Sequence, residues 1–187
     1  MKNTWNDFVK PIVVLGVICL VTSLLLAVTN NVTAPIIAEN AVKTANATRQ
    51  ALLPSADTFT EVAPETPTEG VTAIYKADND SGYVITAQAK GYGGDIDLMV
   101  GIDTSGKVTG VSILSISETA GLGMNAKNES FINQYIGKSG TIGVSKNGAS
   151  DTEIQALTGA TITSKAVTSA VNTALSLYSQ IGGEKVG

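Results

Sequence analysis

Eighteen residues in succession, Pro11 to Val28, read PIVVLGVICLVTSLLLAV and carry no charge. A helix rises about 1.5 Å per residue, so the run reaches roughly 27 Å, close to the thickness of a bilayer's hydrocarbon core. Lipid offers backbone N–H and C=O groups no partners, so a lone segment can enter it only as a helix that pairs them internally. Thr22 and Ser23 are tolerable there because their hydroxyls can bond back to the helix, and Pro11 suits a first turn. A cleaved secretory signal has a shorter apolar core followed by a small-x-small site. Here Val32-Thr33-Ala34 runs straight into Pro35, a poor cleavage site. An uncleaved transmembrane helix over 11–29 is expected.

Charge sets its direction. Lys2 and Lys10 precede the run, and the next lysine after it is Lys43. The positive-inside rule places residues 1–10 in the cytoplasm and the remainder outside the cell (inner) membrane. The chain carries a net charge of −4, and Lys2, Lys10 and Asp7 make the first ten residues +1, so the rest carries −5. Its basic residues are scattered, without the clustered patch that nucleic acid requires. There is no histidine, and Cys19 is the one cysteine. Histidine-based triads, Cys₂His₂ zinc sites, histidine-ligated haem, iron–sulfur clusters and internal disulfides are excluded. Electron transfer by such a chain needs an organic cofactor.

Beyond the run, Pro35 can start a connecting helix with Ile36, Ile37, Val42 and Ala45 on one stripe, reaching about Leu53 before Pro54; the connection as a whole is set at 30–56. Pro64, Pro67 and Gly70 mark a loop. The apolar period then becomes two. Strands are expected over 71–77 and 83–89 around the Asn79-Asp80-Ser81-Gly82 turn, and over 95–102 and 107–116 around Asp103-Thr104-Ser105-Gly106. A short helix at 131–136, a strand at 141–144 and a closing helix at 163–181 follow. Val167, Val171, Ala174, Leu175 and Tyr178 lie on one face of that last helix, and Gly182-Gly183 end it. The fold class is α+β: a single N-terminal transmembrane helix, then an antiparallel-sheet domain over 57–187 with a C-terminal helix.

Three stretches can carry chemistry. Thr158-Gly159-Ala160-Thr161-Ile162-Thr163-Ser164-Lys165 sets a tight turn ahead of the closing helix. Thr163 or Ser164 can cap that helix, and the positive end of its dipole can seat a phosphate; a plain cap reads equally from the residues. Ser117-Glu118-Thr119-Ala120-Gly121-Leu122-Gly123 follows a strand, and its glycines permit either a ligand-facing nest of N–H groups or an ordinary loop. In Lys90-Gly91-Tyr92-Gly93-Gly94, Tyr92 can stack on a flat ring or simply mark an exposed turn. Lys165, unfavourable to the dipole in a first helical turn, is either a partner for a bound anion or a solvated side chain.

Thr158-Gly159-Ala160-Thr161-x-Thr163 resembles the [Ser/Thr]-Gly-Ala-Thr-x-[Ser/Thr] motif of the FMN-binding domain family. Glu118-Thr119-Ala120-Gly121-Leu122-Gly123 resembles its Glu-Thr-Pro-Gly-[Leu/Ile]-Gly motif, with Ala120 in place of the usual proline, and Gly91-Tyr92-Gly93-Gly94 resembles its Gly-[Tyr/Trp]-Gly-Gly segment. Gln155 stands where the recognition pattern of the flavin transferase often has Asp. The whole chain is similar to the G subunits of Rnf electron-transport complexes, which are related to the C subunits of Na+-translocating NADH:quinone reductases. The resemblance implies an FMN esterified through its phosphate to Thr161. It implies a site completed by Thr158, Gly159, Ala160, Thr163, Lys165, Glu118, Thr119, Gly121, Leu122 and Tyr92. It also implies a flavin transferase for maturation, and electron relay among the other membrane and peripheral subunits of a complex that links ferredoxin oxidation to NAD+ reduction. Such a subunit is not catalytic alone. No GxGxxG follows a strand to bind NAD here, and an uncharged span cannot carry ions, which leaves ion movement to partner subunits. The alternatives are a C-subunit-like component of a quinone reductase and a non-redox module anchored to the bilayer.

Overall fold

The computed structural model describes residues 10–63 and 68–182. Pro64, Pro67 and Gly183, named above as breakers, lie outside the described residues, as do Lys2 and Asp7. Helix α1 runs unbroken over Lys10–Leu52. Pro35, expected to begin a second helix, sits inside it. A proline removes one i→i−4 hydrogen bond, and helices of this apolar kind absorb that loss without stopping. Thr22 and Thr29 return their hydroxyl protons to the carbonyls of Ile18 and Leu25, both at 2.9 Å. Ile36, Ile37 and Val42 of the expected stripe are exposed.

The chain divides into two compact units, residues 1–45 and 46–187. In the second, strands β1 (Phe59–Glu61), β2 (Val71–Ala77), β3 (Gly82–Lys90), β4 (Asp95–Asp103) and β5 (Val108–Ser115) form one sheet in sequence order. Every pairing is antiparallel, as short turns between successive strands require. The four long strands fall where the period of two puts them. Strand β1 was not anticipated, because three residues, Phe59, Thr60 and Glu61, are too few to show an alternation. The expected helix at 131–136 divides into α2 (Glu129–Ile132) and a 3₁₀ turn over Asn133–Tyr135. The strand expected at 141–144 is β6 (Gly143–Ser145), which pairs in parallel with the unanticipated β7 (Glu153–Gln155).

Helix α3 spans Thr161–Ile181 and closes the domain. Val167, Val171, Ala174 and Leu175 are buried, as their spacing predicts. Tyr178 sits half-buried at the edge, its ring 5.7 Å from that of Tyr83 in an edge-on pair. These side chains pack with Ile85, Ala87, Leu98, Val100 and Ile102 of the sheet in one core. Burying each large aliphatic chain is worth about 1.5–3 kcal/mol, so this one face accounts for much of what holds α3 in place. The helix ends at Gly182, but at φ −90°, without the left-handed cap. In β3 and β4 consecutive residues are buried, Val84 to Ala87 and Leu98 to Ile102, so the sheet is covered on both faces. The last turn of α1 supplies part of the second cover: Thr109 of β5 donates its hydroxyl to the Leu52 carbonyl at 2.5 Å, and the buried Arg49 lays its guanidinium 3.4 Å from the ring centre of Tyr75.

Candidate functional site

Three connections meet at one end of the sheet: the β3–β4 turn at 91–94, the loop after β5 at 116–123, and the turn that enters α3. A cavity of about 500 Å³ opens between them. Its lining includes Tyr92, Glu118, Thr119, Leu122, Gly159, Ala160, Thr161 and Thr163. Stretches about forty residues apart in sequence therefore share one wall. Gly123 and Ile162 also line it. Neither was singled out in the sequence, although Gly123 closes the Gly-Leu-Gly stretch and Ile162 is the interior position of the Thr-x-Thr one.

Glu118 ties the three connections together. Its Oε1 accepts the backbone N–H of Tyr92 at 2.7 Å and of Gly93 at 3.2 Å. Its Oε2 accepts the Thr163 hydroxyl at 3.1 Å. The contact is close enough that a Cβ at Gly91 would fall on Glu118 Oε1, and one at Gly123 would lie 2.7 Å from both Glu118 Oε2 and Thr163 Oγ1. The pair of N–H groups that forms a nest thus belongs to the Tyr92 turn, not to the 117–123 loop. In that loop the N–H groups of Leu122 and Met124 turn inward to the Thr119 carbonyl, at 3.1 and 3.2 Å. Gly121 takes φ +76°, which an L side chain resists.

The turn at Thr158-Gly159 forms as expected, with Gly159 at φ +75°. Thr158 is exposed on it. The cap of α3 is different from the expectation. The N-cap position is Ala160, which has no side-chain oxygen to offer. Thr163 and Ser164 are already inside the helix, where their hydroxyls have other work. Thr163 turns to Glu118, and Ser164 accepts the Leu157 N–H at 2.9 Å while donating to the Ala160 carbonyl at 2.9 Å. The first-turn N–H groups of an α-helix have no partners within the helix, and α3 has no side-chain cap to meet them. Thr161 is its first residue, half-buried, and its hydroxyl takes part in no hydrogen bond among the described residues. An uncapped helix start that lines a cavity and carries a free hydroxyl fits a phosphate ester, because the exposed donors and the dipole both favour negative charge.

The apolar part of a flat ligand also finds a fit. Tyr92, Leu122 and Ile162 all line the cavity and are 72%, 43% and 55% exposed. Lys165 does not join them. It is exposed on α3 and lines a separate, more open groove with Glu69, Thr141 and Asn172. Residues four apart on a helix face nearly the same way, but Thr161 lines the cavity at the start of α3 while Lys165, a turn further along, lines the groove with Val144 of β6. Among the described residues, Glu118 is the one charged side chain in the cavity lining.

Residues 91–176 match the FMN-binding domain family, a span that holds all three connections. The G subunit of a proton-translocating ferredoxin:NAD(+) oxidoreductase complex from Clostridium ljungdahlii is 37% identical over 172 residues, 91% of each chain. The corresponding G subunit of a Na(+)-translocating ferredoxin:NAD(+) oxidoreductase complex from Acetobacterium woodii is 36% identical, over 95% of this chain and 94% of that one. Among solved structures, the C subunit of the Na(+)-translocating NADH-quinone reductase of Parabacteroides distasonis superposes with a TM-score of 0.52 at 24% identity, over 62% of this chain and 63% of that one, a likeness of fold. An antiparallel sheet closed by a C-terminal helix, a cavity built from three glycine-bearing connections, and relatives matched nearly end to end place the chain in the FMN-binding domain family, among the G subunits of ion-translocating ferredoxin:NAD(+) oxidoreductase complexes.

Proposed function

We propose that this chain is a flavoprotein subunit of an Rnf-type ferredoxin:NAD(+) oxidoreductase, anchored by α1, with FMN joined through its phosphate to Thr161 Oγ1. One observation carries the reading: half-buried Thr161, whose hydroxyl is unengaged among the described residues, lines a cavity at the uncapped start of α3. When bound, FMN supplies storage for one or two electrons, and the protein supplies position and potential. The first-turn N–H groups of α3 would receive the phosphate oxygens. Leu122, Ile162 and Tyr92 would cover the ring and keep water from it. A separate flavin transferase would form the ester, since the chain has no histidine and the described residues hold no metal-binding cluster to activate the hydroxyl.

Helix α1 is long and apolar enough to cross a bilayer. With Lys2 and Lys10 on its short side, the cavity-bearing domain would face away from the cytoplasm. A covalent tether suits that location, because a dissociated cofactor would be lost to the outside. No charge occurs from residue 11 to residue 38, so ions would cross through partner subunits. The two relatives named above carry different ions in their names at nearly the same identity to this chain, which agrees with ion choice lying elsewhere.

The test is the intact mass of the full chain expressed with a flavin transferase. One added FMN unit, absent in Thr161→Val, is expected, together with in-gel fluorescence that survives denaturation. A wild-type mass without the increment under those conditions would reject the covalent assignment. Labelling that finds residues after α1 in the cytosol would reject the orientation.

A further inference from the structure

We propose that Glu118 is a positioning residue that latches the Tyr92 rim of the cavity to the first turn of α3, and that its charge lowers the reduction potential of the flavin held there. The latch stands on geometry alone, whereas the potential rests on the flavin reading above.

A carboxylate accepts at both oxygens and can serve several donors at once. Glu118 uses this capacity across three connections: two N–H groups of the β3–β4 turn on one oxygen, and the Thr163 hydroxyl on the other. Thr163 is 1% exposed and lies two residues past Thr161 on the same turn of α3. Tyr92 is 72% exposed, so packing does little to hold it. The Gly91 N–H closes the turn on the Gly94 carbonyl at 2.8 Å, and the backbone bonds to Glu118 tie that turn to the α3 side of the cavity. Through them the distance between the attachment hydroxyl and the aromatic cover is set by one side chain. The glycines at 91 and 123 fit the same role, since larger residues there would collide with the Glu118 carboxylate itself, and a Cβ at Gly93 would fall on the Ser117 carbonyl oxygen.

The electrostatic consequence follows from what surrounds the carboxylate. Among the described residues neither ion pair includes Glu118, and none of those lining the cavity is a lysine or arginine. Its charge is met by dipoles only. Reduction adds electron density to a flavin, and a negative charge in the same cavity opposes that addition. Removing the charge while keeping the bonds should make the flavin easier to reduce.

Glu118→Gln separates the two effects. Its amide oxygen can still accept the Tyr92 and Gly93 N–H groups, and its amide nitrogen can donate to the Thr163 hydroxyl. Hydrogen exchange at the Tyr92 and Gly93 amides is read by NMR on the full chain in detergent micelles. The midpoint potential is read by spectroelectrochemical titration of the flavin-loaded chain. In Glu118→Gln, exchange should quicken far less than in Glu118→Ala, because a neutral amide oxygen still accepts both N–H groups though more weakly than a carboxylate, while the midpoint moves positive. In Glu118→Ala, exchange at both amides should quicken roughly tenfold or more, the loss expected of a charge-assisted hydrogen bond. Thr163→Val removes one arm only, and should reduce flavin loading while leaving the two amides protected. Wild-type exchange in Glu118→Ala would overturn the latch, and an unmoved midpoint in Glu118→Gln would overturn the electrostatic role. The exchange measurement needs no flavin, so an unloaded wild-type chain would count against the covalent reading and leave the latch still decided by its own result.

Discussion

Gly101 on β4 and Gly110 on β5 are register partners, and the slot their missing side chains leave is filled by Leu52 at the end of α1. A Cβ at Gly101 would lie 2.6 Å from the Leu52 carbonyl oxygen and 2.5 Å from Thr109 Oγ1; one at Gly110 would lie 2.9 Å from Leu52 Cδ2. The end of the long apolar helix is thus an integral part of the sheet's cover. The Thr109 hydroxyl and the Arg49–Tyr75 stack hold it from two further sides.

That slot predicts an asymmetry. Gly101→Ala must displace a backbone carbonyl and break the Thr109 bond, and should cost about 1–3 kcal/mol. Gly110→Ala meets the movable end of a leucine and should cost less. Urea denaturation of both full-length variants, followed by circular dichroism, measures the difference. Equal losses would show that Leu52 does not seat there.

Gly159 couples backbone strain to cofactor loading. At φ +75° an alanine costs about 1–2 kcal/mol, and its Cβ would press on Leu122 Cδ2 at 3.0 Å. Gly159→Ala should lower both the melting temperature and the flavin-bearing fraction seen by intact mass. Gly137 has a similar φ of +80° with open space around it, so Gly137→Ala should lower stability while leaving the flavin fraction alone.

Tyr135 and Thr168 share a buried hydrogen bond of 2.7 Å, and Thr168 passes its own proton to the Ser164 carbonyl at 2.9 Å. Burial pushes the Tyr135 phenol well above its usual value, so it stays protonated and donates. Tyr135→Phe removes a donor and leaves Thr168 satisfied, at a cost of about 1 kcal/mol. Thr168→Val strands the phenol without an acceptor and should cost more, about 1–3 kcal/mol. Chemical denaturation of the two variants orders them, and the reverse order would contradict the donor assignment.

Asp103 supplies a pH dependence. Burial alone would raise its carboxyl. The Ser105 hydroxyl at 2.6 Å, the Lys107 N–H at 3.0 Å and the Ser105 N–H at 2.8 Å outweigh burial and hold it below the ordinary 3.8. A lowered native value means that the stabilisation is complete above the unfolded pKa and disappears as pH falls through the native one. Stability of the wild-type chain should therefore fall on acidification below about pH 4, and Asp103→Asn should be less stable at neutral pH with a shallower acid limb. Melting curves taken across that range test it, and parallel curves would rule out this carboxyl as a contributor.

Much of this architecture was legible in the sequence because it is set by local periodicity. An uncharged run of membrane length, four alternating strands around Asn-Asp-Ser-Gly and Asp-Thr-Ser-Gly turns, and a closing amphipathic helix are all patterns within one element. Strands β1 and β7 escaped because three residues cannot show a period, and their pairing comes from neighbours far along the chain. The same limit applies at the site. The hydroxyl-rich turn at Thr158 to Thr163 and the Glu118 loop were visible as stretches of unusual composition. Whether Thr163 capped its helix or reached Glu118, and whether Lys165 faced the same cavity as Thr161, could not be read from spacing along α3. Those outcomes depend on which side of α3 the sheet buries and on where the β3–β4 turn is brought, and both are set by contacts between residues tens of positions apart. Composition and local pattern determined that this chain has an uncharged apolar helix long enough to cross a bilayer and an α+β domain without histidine or a cysteine cluster to ligate a metal. Only the packing of the sheet against α3 decided that a single carboxylate would join the rim, the loop and the helix that carries Thr161.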